Sequence, residues 1–593
     1  MPAGPSASIG RAEMLRWPDL HRVPESVRPG LVGPGAPFEL ARENVRGVEM
    51  TVFANRPRNV VEVLRAAGRD HADRPYLILG DRTVTYAEAA AAAERVAAVL
   101  HGRYGVRRGD RVALVGANSV EHALTIWAVV LLGGVVVGLN GWWTGPEMRH
   151  GLVLTGPRLL VGDERRLERI ERLAGMADAG LPVVTFDELA AEATVSVPDA
   201  LDRSQSSVRD VDVDENLFAC DIGEDEPIAV LFTSGTTGRA KGAVLSHRAV
   251  VNFGLDASLR GAVEVVSGDA APPAGAAVSV LASPLFHISG LGPLLGAAPR
   301  SGMTLVLAPP GRWDPAAHLE LTRRYGVTQW TGVPTQFLRL LEHPDLDPAT
   351  LVTLRGIGCG GAPMPPELPR VVAERLPGVR VSSGYGMTET FGVGTAIGGT
   401  RLVTHPGAVG VPTPTSELML RDADGSELTA DGDVGEIWLR NPSVFLGYWN
   451  DEEATAAVLD ADGWYRSGDY GRIVDGMVYL ESRLRDLIIR GGENIYPIEI
   501  ENRLIEHPGI AEAAVIGVPH HQLGQEVLAV LVPHDGSILD PAEVRDWVAA
   551  TLAAFKVPAR IRIVDALPHN ASGKVIKRDL EDRFAEDADL PHP

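Results

Sequence analysis

The sequence predicts an α/β fold: a large N-terminal domain built on mostly parallel strands, then a small α+β domain at the C-terminus. Three observations predict it. From Val60 onward, short β-branched runs alternate with alanine-rich amphipathic segments, the pattern of parallel sheets covered by helices. At 593 residues the chain is too long for one ordinary core. Near Arg483–Asp486 the composition shifts, and the last hundred or so residues read as a compact unit of their own. The expected divisions are an irregular arm over residues 1–45, the large domain over 46–484 and the small domain over 485–593.

The elements come in order along the chain. Residues 1–45 are rich in Pro and Gly, with no apolar stretch of signal-peptide type, and read as an arm against the body. Tyr76–Leu79 and Thr83–Thr85 form a hairpin around Gly80-Asp81, and Tyr86–Leu100 is a helix. Arg111–Val115 is a buried strand and His122–Leu132 a helix. The apolar run Ala123–Leu139 approaches the length of a membrane span. Gly133-Gly134 divides it, so it reads as a buried helix, a turn and a β-branched strand. Ala193–Glu226 is polar, acidic and irregular, a surface linker. Leu418–Trp449 suggests a smaller β subdomain. In the last unit, Ile498–Ile505 and Pro541–Thr551 are helical, the latter with proline at its start. Ala513–Val518, Val527–Val532 and Arg560–Val564 are strands.

Composition excludes several function classes. A net charge of −22 opposes a nucleic-acid surface and docking on anionic lipid. The two cysteines, Cys220 and Cys359, build no disulfide framework, and the expectation is a reducing cytoplasm. No integral membrane association is expected.

Among 55 basic Lys and Arg residues only four are lysines: Lys241, Lys556, Lys574 and Lys577. Arginine excess fits a GC-rich coding sequence, so the surviving ammonium groups stand out. Lys241 ends Thr233-Ser234-Gly235-Thr236-Thr237-Gly238-Arg239-Ala240-Lys241, which comes directly after the buried strand Ile228–Phe232. Glycines let successive N–H groups turn toward one anion and hydroxyls add donors, so the loop suits nucleotide phosphates. It is not a P-loop, because Gly242 stands where Ser or Thr is required. Lys574 lies in Asn570-Ala-Ser-Gly-Lys574, where an ammonium serves as a compact point charge.

Taken with the first loop, Tyr385-Gly-Met-Thr388-Glu389, Tyr465-Arg-Ser-Gly-Asp469, Arg483-Leu-Arg-Asp486, Gly491-Gly492-Glu-Asn-Ile-Tyr-Pro and Asn570–Lys574 occur in one order. This series resembles the adenylate-forming superfamily, which includes acyl-CoA synthetases, peptide-synthetase adenylation domains and firefly luciferase. The resemblance implies a two-step reaction. A carboxylate attacks the α-phosphorus of ATP to give acyl-AMP and pyrophosphate, and a thiol, usually that of coenzyme A, then takes the acyl group. It implies that Thr233–Lys241 holds the β- and γ-phosphates, that Thr388 touches the α-phosphate and that Glu389 ligates Mg²⁺. It implies Tyr385 against the adenine face, with Gly361-Ala362-Pro363 lining the other side. Asp469 and Arg483 are expected at the ribose. Lys574 is expected to stabilise the five-coordinate α-phosphorus, and Lys556 and Lys577 to be surface charges or coenzyme A contacts. A hinge is expected at Arg485, so that the small domain swings and Gly491-Gly492 lines the pantetheine tunnel. Relatives usually have Asp or Lys at this position.

Ser283-Pro-Leu-Phe-His287-Ile-Ser-Gly290 resembles the segment flanking the acyl site, with His287 a gate or a carboxylate contact. It lacks the aspartate with which amino-acid-activating relatives pair the substrate ammonium. Gly290, Gly292, Gly332, Gly384 and Gly392 read as small residues leaving room, with Trp330 and Phe391 as candidate walls. The leading expectation is therefore an AMP-forming ligase for a medium- or long-chain fatty acid. The alternatives are an aryl-acid CoA ligase and an acyl-AMP ligase that loads a separate carrier protein. A luciferase-like oxygenase and a non-catalytic binder are disfavoured. The sequence leaves the oligomeric state open, a homodimer included.

Overall fold

The computed structural model describes residues 28–171, 180–195, 221–234, 240–266, 275–311, 313–422, 424–483, 486–490, 493–520, 523–570 and 573–584. The large domain has two parallel-cored sheets. In one, the strands Arg111–Val115, Val135–Gly138, Leu159–Gly162, Val183–Thr185 and Pro227–Ser234 run parallel. The antiparallel strand Ala240–Ser246 extends this sheet at its edge. The other has fourteen strands among the described residues. Its parallel centre is Val278–Leu281, Thr304–Leu307, Gln329–Gly332, Gly356–Cys359 and Arg380–Tyr385.

The suspect apolar run resolves as the sequence suggests. The helix Val120–Leu131 is buried on nearly every face, and Leu132–Gly134 turn it into the strand Val135–Gly138. Its Trp127 indole donates to the Tyr76 hydroxyl at 3.0 Å, which in turn donates to the Leu294 carbonyl at 2.6 Å. Hydrophobicity all round thus marks a helix sandwiched in the core. No helix among the described residues is long and apolar enough to cross a membrane. The hairpin Pro75–Leu79/Arg82–Thr85 forms as expected, and the helix Tyr86–Gly102 comes next, with a Thr85/Glu88 capping box.

Two expectations change. Residues 1–27 lie outside the described residues, but Leu40–Val45 is a strand paired antiparallel with Val48–Phe53, so the arm is regular where it meets the body. The linker read over residues 193–226 lies outside them for 196–220; residues 186–195 are helical. The β subdomain is antiparallel: Glu417–Arg421, Val434–Arg440, Tyr465–Val474 and Met477–Arg483. Gly447–Tyr448 leaves it and pairs instead with Ala240–Ser246.

Among the described residues the small domain is a five-stranded sheet, including Ile510–His520, Gly524–Pro533 and Arg560–Ile563, with the helices Pro497–Ile505 and Pro541–Ala549 packed around its core. Pro497–Ile505 also lies on the strand Met477–Arg483. Where Pro363, Val409 and Leu480 meet Ile498 and Asn502, the seam leaves a gap of only ≈ 20 Å³. The two domains are docked, and that contact positions the site.

Candidate active site

The strands Pro227–Ser234 and Ala240–Ser246 form an antiparallel hairpin in which Lys241 sits opposite Thr233 and Ala240 opposite Ser234. The tip, Gly235 to Arg239 with Thr236, Thr237 and Gly238, lies outside the described residues. Its two legs therefore bring Thr233 and Lys241 to the same end of the sheet. The Lys241 ammonium stands 5.2 Å from the centroid of the Tyr448 ring, an attractive cation–π geometry.

Thr388 and Glu389 occupy a short 3₁₀ turn, Thr388–Thr390, immediately beyond the strand Arg380–Tyr385. The turn is clamped at its base. A Cβ on Gly386 would stand 2.4 Å from the Gly392 carbonyl carbon, so only glycine permits that closure. Thr388 and Glu389 are both buried, and the Glu389 carboxylate accepts from the Tyr448 hydroxyl at 2.9 Å. Burial, then the Glu389 charge, holds the Tyr448 phenol well above its ordinary value, so it stays a donor. Tyr465 is held up in the same way, chiefly by burial.

Asp469 is 6% exposed and its Oδ2 accepts from the Tyr385 hydroxyl at 2.9 Å. Arg483 faces Asp469 across the pair Tyr465–Val474/Met477–Arg483. Gly361 adopts φ +77°, while Pro363 borders the seam with the small domain. Gly491 and Gly492 and the hinge position Arg485 lie outside the described residues.

Lys574 comes from the other domain. Its loop closes on itself: the Lys574 N–H donates to Asn570 Oδ1 at 2.9 Å, and the Asn570 N–H donates to the Lys574 carbonyl at 2.8 Å. Gly573 has φ +84°, and a Cβ there would stand 2.8 Å from Val333 Cγ2 of the large domain. Lys574 is near enough to His287 for its charge to act on the ring. Burial first, and that ammonium second, lower the His287 pKa to about 4, so the imidazole is neutral at pH 7. His287 caps the helical turn Ile288–Gly292, its Nδ1 2.9 Å from the Ser289 hydroxyl. The other two lysines are engaged within the small domain: Lys556 with Glu499 at 2.6 Å and Lys577 with Glu501 at 2.6 Å.

The glycines read as room are mostly points of close approach. A Cβ on Gly290 would meet the Pro284 oxygen at 2.2 Å, one on Gly292 the Phe253 ring at 3.0 Å, and one on Gly332 the Gln336 side chain at 2.4 Å. Gly384 would meet the Thr395 oxygen at 3.4 Å, an ordinary contact. Gly392 has φ +74° and faces Ile288 and Phe253. Trp330 is core, fully buried and donating to Thr322 Oγ1 at 2.9 Å. Phe391 is fully buried edge-on to Phe253 at 5.6 Å. The sequence reading also missed Tyr448. Its one local sign is an aromatic pair, Tyr448-Trp449, directly after a glycine.

Comparison with known proteins agrees with this arrangement. The AMP-binding enzyme family matches residues 64–449, and the AMP-binding enzyme C-terminal domain matches residues 499–574. The feruloyl-CoA synthase of an Amycolatopsis species is 36% identical over 85% of this chain and 95% of its own length. The long-chain-fatty-acid–CoA ligase FadD13 of Mycobacterium tuberculosis is 30% identical over 85% and 94%. The o-succinylbenzoate coenzyme A synthetase MenE of Bacillus subtilis, solved with ATP and magnesium, superposes with a TM-score of 0.72 at 30% identity, covering 89% of this chain and 100% of its own. Both family models and these relatives place the chain in the adenylate-forming superfamily, among its AMP-dependent acyl-CoA synthetases and ligases.

Proposed function

We propose that the protein is an ATP-dependent carboxylic acid–CoA ligase acting on a compact, ring-bearing acid, with Lys574 as the residue that drives the first step. The supporting observation is the docking of the two domains: Gly573 lies against Val333, and Lys574 acts on His287. In the first half-reaction a carboxylate oxygen of the acid bonds to the α-phosphorus of ATP, and the bond to the bridging oxygen breaks as pyrophosphate leaves. The added negative charge on the phosphoryl oxygens meets the Lys574 ammonium and the Thr388 hydroxyl. In the second, the sulfur of coenzyme A bonds to the acyl carbon, the bond to AMP breaks, and the thiol proton is lost to solvent.

Thr233, Ser234 and Lys241, with the hairpin tip Gly235–Gly238, receive the β- and γ-phosphates. Asp469 accepts from the ribose hydroxyls, with Arg483 beside it, and Tyr385 and Gly361–Pro363 flank the adenine. His287, neutral, orients the carboxylate rather than exchanging a proton with it. Gly491 and Gly492 belong to the coenzyme A step. Glu389 suits a magnesium ion: it is a lone carboxylate among oxygen donors, and no cluster of three potential protein ligands exists among the described residues. Magnesium is commonly held by one or two carboxylates plus substrate phosphates. When bound, it neutralises phosphate charge.

The ring-bearing acid is favoured over a long alkyl chain because the glycines around the acyl segment are packed rather than open. Phe253 fills the space beside Gly292 and Gly296. Feruloyl-CoA synthase among the relatives points the same way. Similarity to a fatty-acid ligase keeps the alkyl reading as the second one. A panel of aryl and C8–C16 alkyl acids, scored by pyrophosphate release with and without coenzyme A, separates them. Turnover of arylpropenoic or arylacetic acids well above that of palmitate is expected, and the reverse order would sink the ring-bearing assignment. Pyrophosphate release without thioester would instead indicate a carrier-protein acceptor.

A further inference from the structure

We propose that Tyr448 is a positioning residue that fastens the magnesium carboxylate Glu389 to the hairpin carrying the phosphate loop, an inference that rests on the ligase reading above. Every link is short. Tyr448 lies on a two-residue strand paired with the outgoing leg of the hairpin, with Ala243 opposite Tyr448 and Val244 opposite Gly447. On either side of that pair, the Leu446 N–H donates to the Val244 carbonyl at 2.8 Å and the Trp449 N–H to the Gly242 carbonyl at 2.7 Å. The segment also grips the turn that carries Glu389 in two ways. The Phe445 N–H donates to the Glu389 carbonyl at 2.7 Å, and the Tyr448 hydroxyl donates to its carboxylate at 2.9 Å.

The tyrosine itself is firmly held. Its N–H donates to Thr455 Oγ1 at 2.8 Å, and its ring stands edge-on to Phe445 at 4.9 Å. The Tyr465 phenol lies beside the Tyr448 phenol. Tyr465 is also near enough to Tyr385 and Asp469 to feel their charges. The Lys241 ammonium sits over the Tyr448 ring.

The consequence is geometric. A magnesium ion shared between Glu389 and phosphates requires the carboxylate and the phosphate loop at a fixed separation, because that ion tolerates little departure from octahedral geometry. They belong to different parts of the large domain, and this segment is hydrogen-bonded to both. A side chain that orients a ligand oxygen from behind is worth about 10–100-fold in metal affinity.

Tyr448→Phe keeps the ring, its packing and its place under Lys241, and removes only the hydroxyl. The test is ATP binding to the full-length protein by calorimetry, without acid or coenzyme A, in EDTA and across a magnesium titration. The expected result is an ATP affinity in EDTA within twofold of the wild type, while the tightening produced by magnesium shrinks about tenfold. Tyr465→Phe is expected to change the tightening in the same direction by a smaller factor. Undiminished tightening in Tyr448→Phe would overturn the proposal, as would an equal loss with and without magnesium. Should Tyr448→Phe lose its cooperative melt, Tyr465→Phe decides by the same two criteria. A wild-type protein whose ATP affinity ignores magnesium would remove the ligase reading as well, which separates the two failures.

Discussion

The nucleotide side of the site and the lysine that crosses to it are built on opposite plans. Glu389 and Asp469 are buried carboxylates, each held by a tyrosine hydroxyl at 2.9 Å and each backed by a sheet. Lys574 rides on a turn whose backbone closes on itself through Asn570, and the glycine beside it packs on a valine of the large domain. Recognition of a nucleotide gains from donors and acceptors fixed before binding. A group that must arrive for one step and withdraw for the next gains from a tether that travels with it. The same molecule therefore invests rigidity on one side of the cleft and keeps the other side on a self-contained turn.

The sharpest way to break that comparison is to remove the Lys574 charge. Lys574→Ala should lower adenylate formation by about 10²–10³-fold, measured as pyrophosphate release, while thioester formation from supplied acyl-AMP persists. Equal losses in both half-reactions would mean that Lys574 belongs to the fixed framework instead. Asp469→Ala should raise the ATP KM by about 30-fold, the scale of a lost hydrogen bond to a charged group, with the acid KM little moved. Tyr385→Phe, which removes only the bond that steadies Asp469, should raise the ATP KM by about fivefold. Gly573→Ala places a Cβ at a left-handed backbone and against Val333. It should slow adenylation several-fold without changing ATP affinity.

A final contrast concerns acid. His122, His247 and His318 are buried in the large domain with pKa values lowered to about 4, mainly by burial. Their folded values lie below the unfolded 6.5, so the unfolded chain binds more protons between those limits and stability falls as pH falls through them. At pH 5 each costs up to about 2 kcal/mol relative to pH 7. Calorimetric melts at pH 7 and pH 5 should show the large-domain transition moving down; a transition that stays put would mean these rings are charged or solvated.

Much of this was legible locally. The buried strand over Ile228–Phe232 and the buried run Ala123–Leu139 each emerge from short-range pattern. What escaped depends on chain partners far apart. Nothing in Gly447-Tyr448 says that it pairs with residues 243–244, some two hundred positions earlier, so it read as part of the neighbouring β subdomain. The glycines misled for a related reason. A missing side chain looks like space in a sequence, yet at Gly290 it is filled by the backbone of Ser283 and Pro284. Lys556 and Lys577, read as surface or coenzyme A contacts, have partners on the helix Pro497–Ile505 that charge counting could not choose.

The scarcity of lysine has a practical side at the bench. Four side-chain amines serve the whole chain, and Glu499 and Glu501 already pair with two of them. Acylating reagents used for dye labelling or for coupling to a biosensor chip therefore have few targets, and Lys574 is one of the four. A preparation immobilised in that way would hold the amine proposed to drive adenylation captive in many molecules, and tethering through a terminal tag avoids the loss.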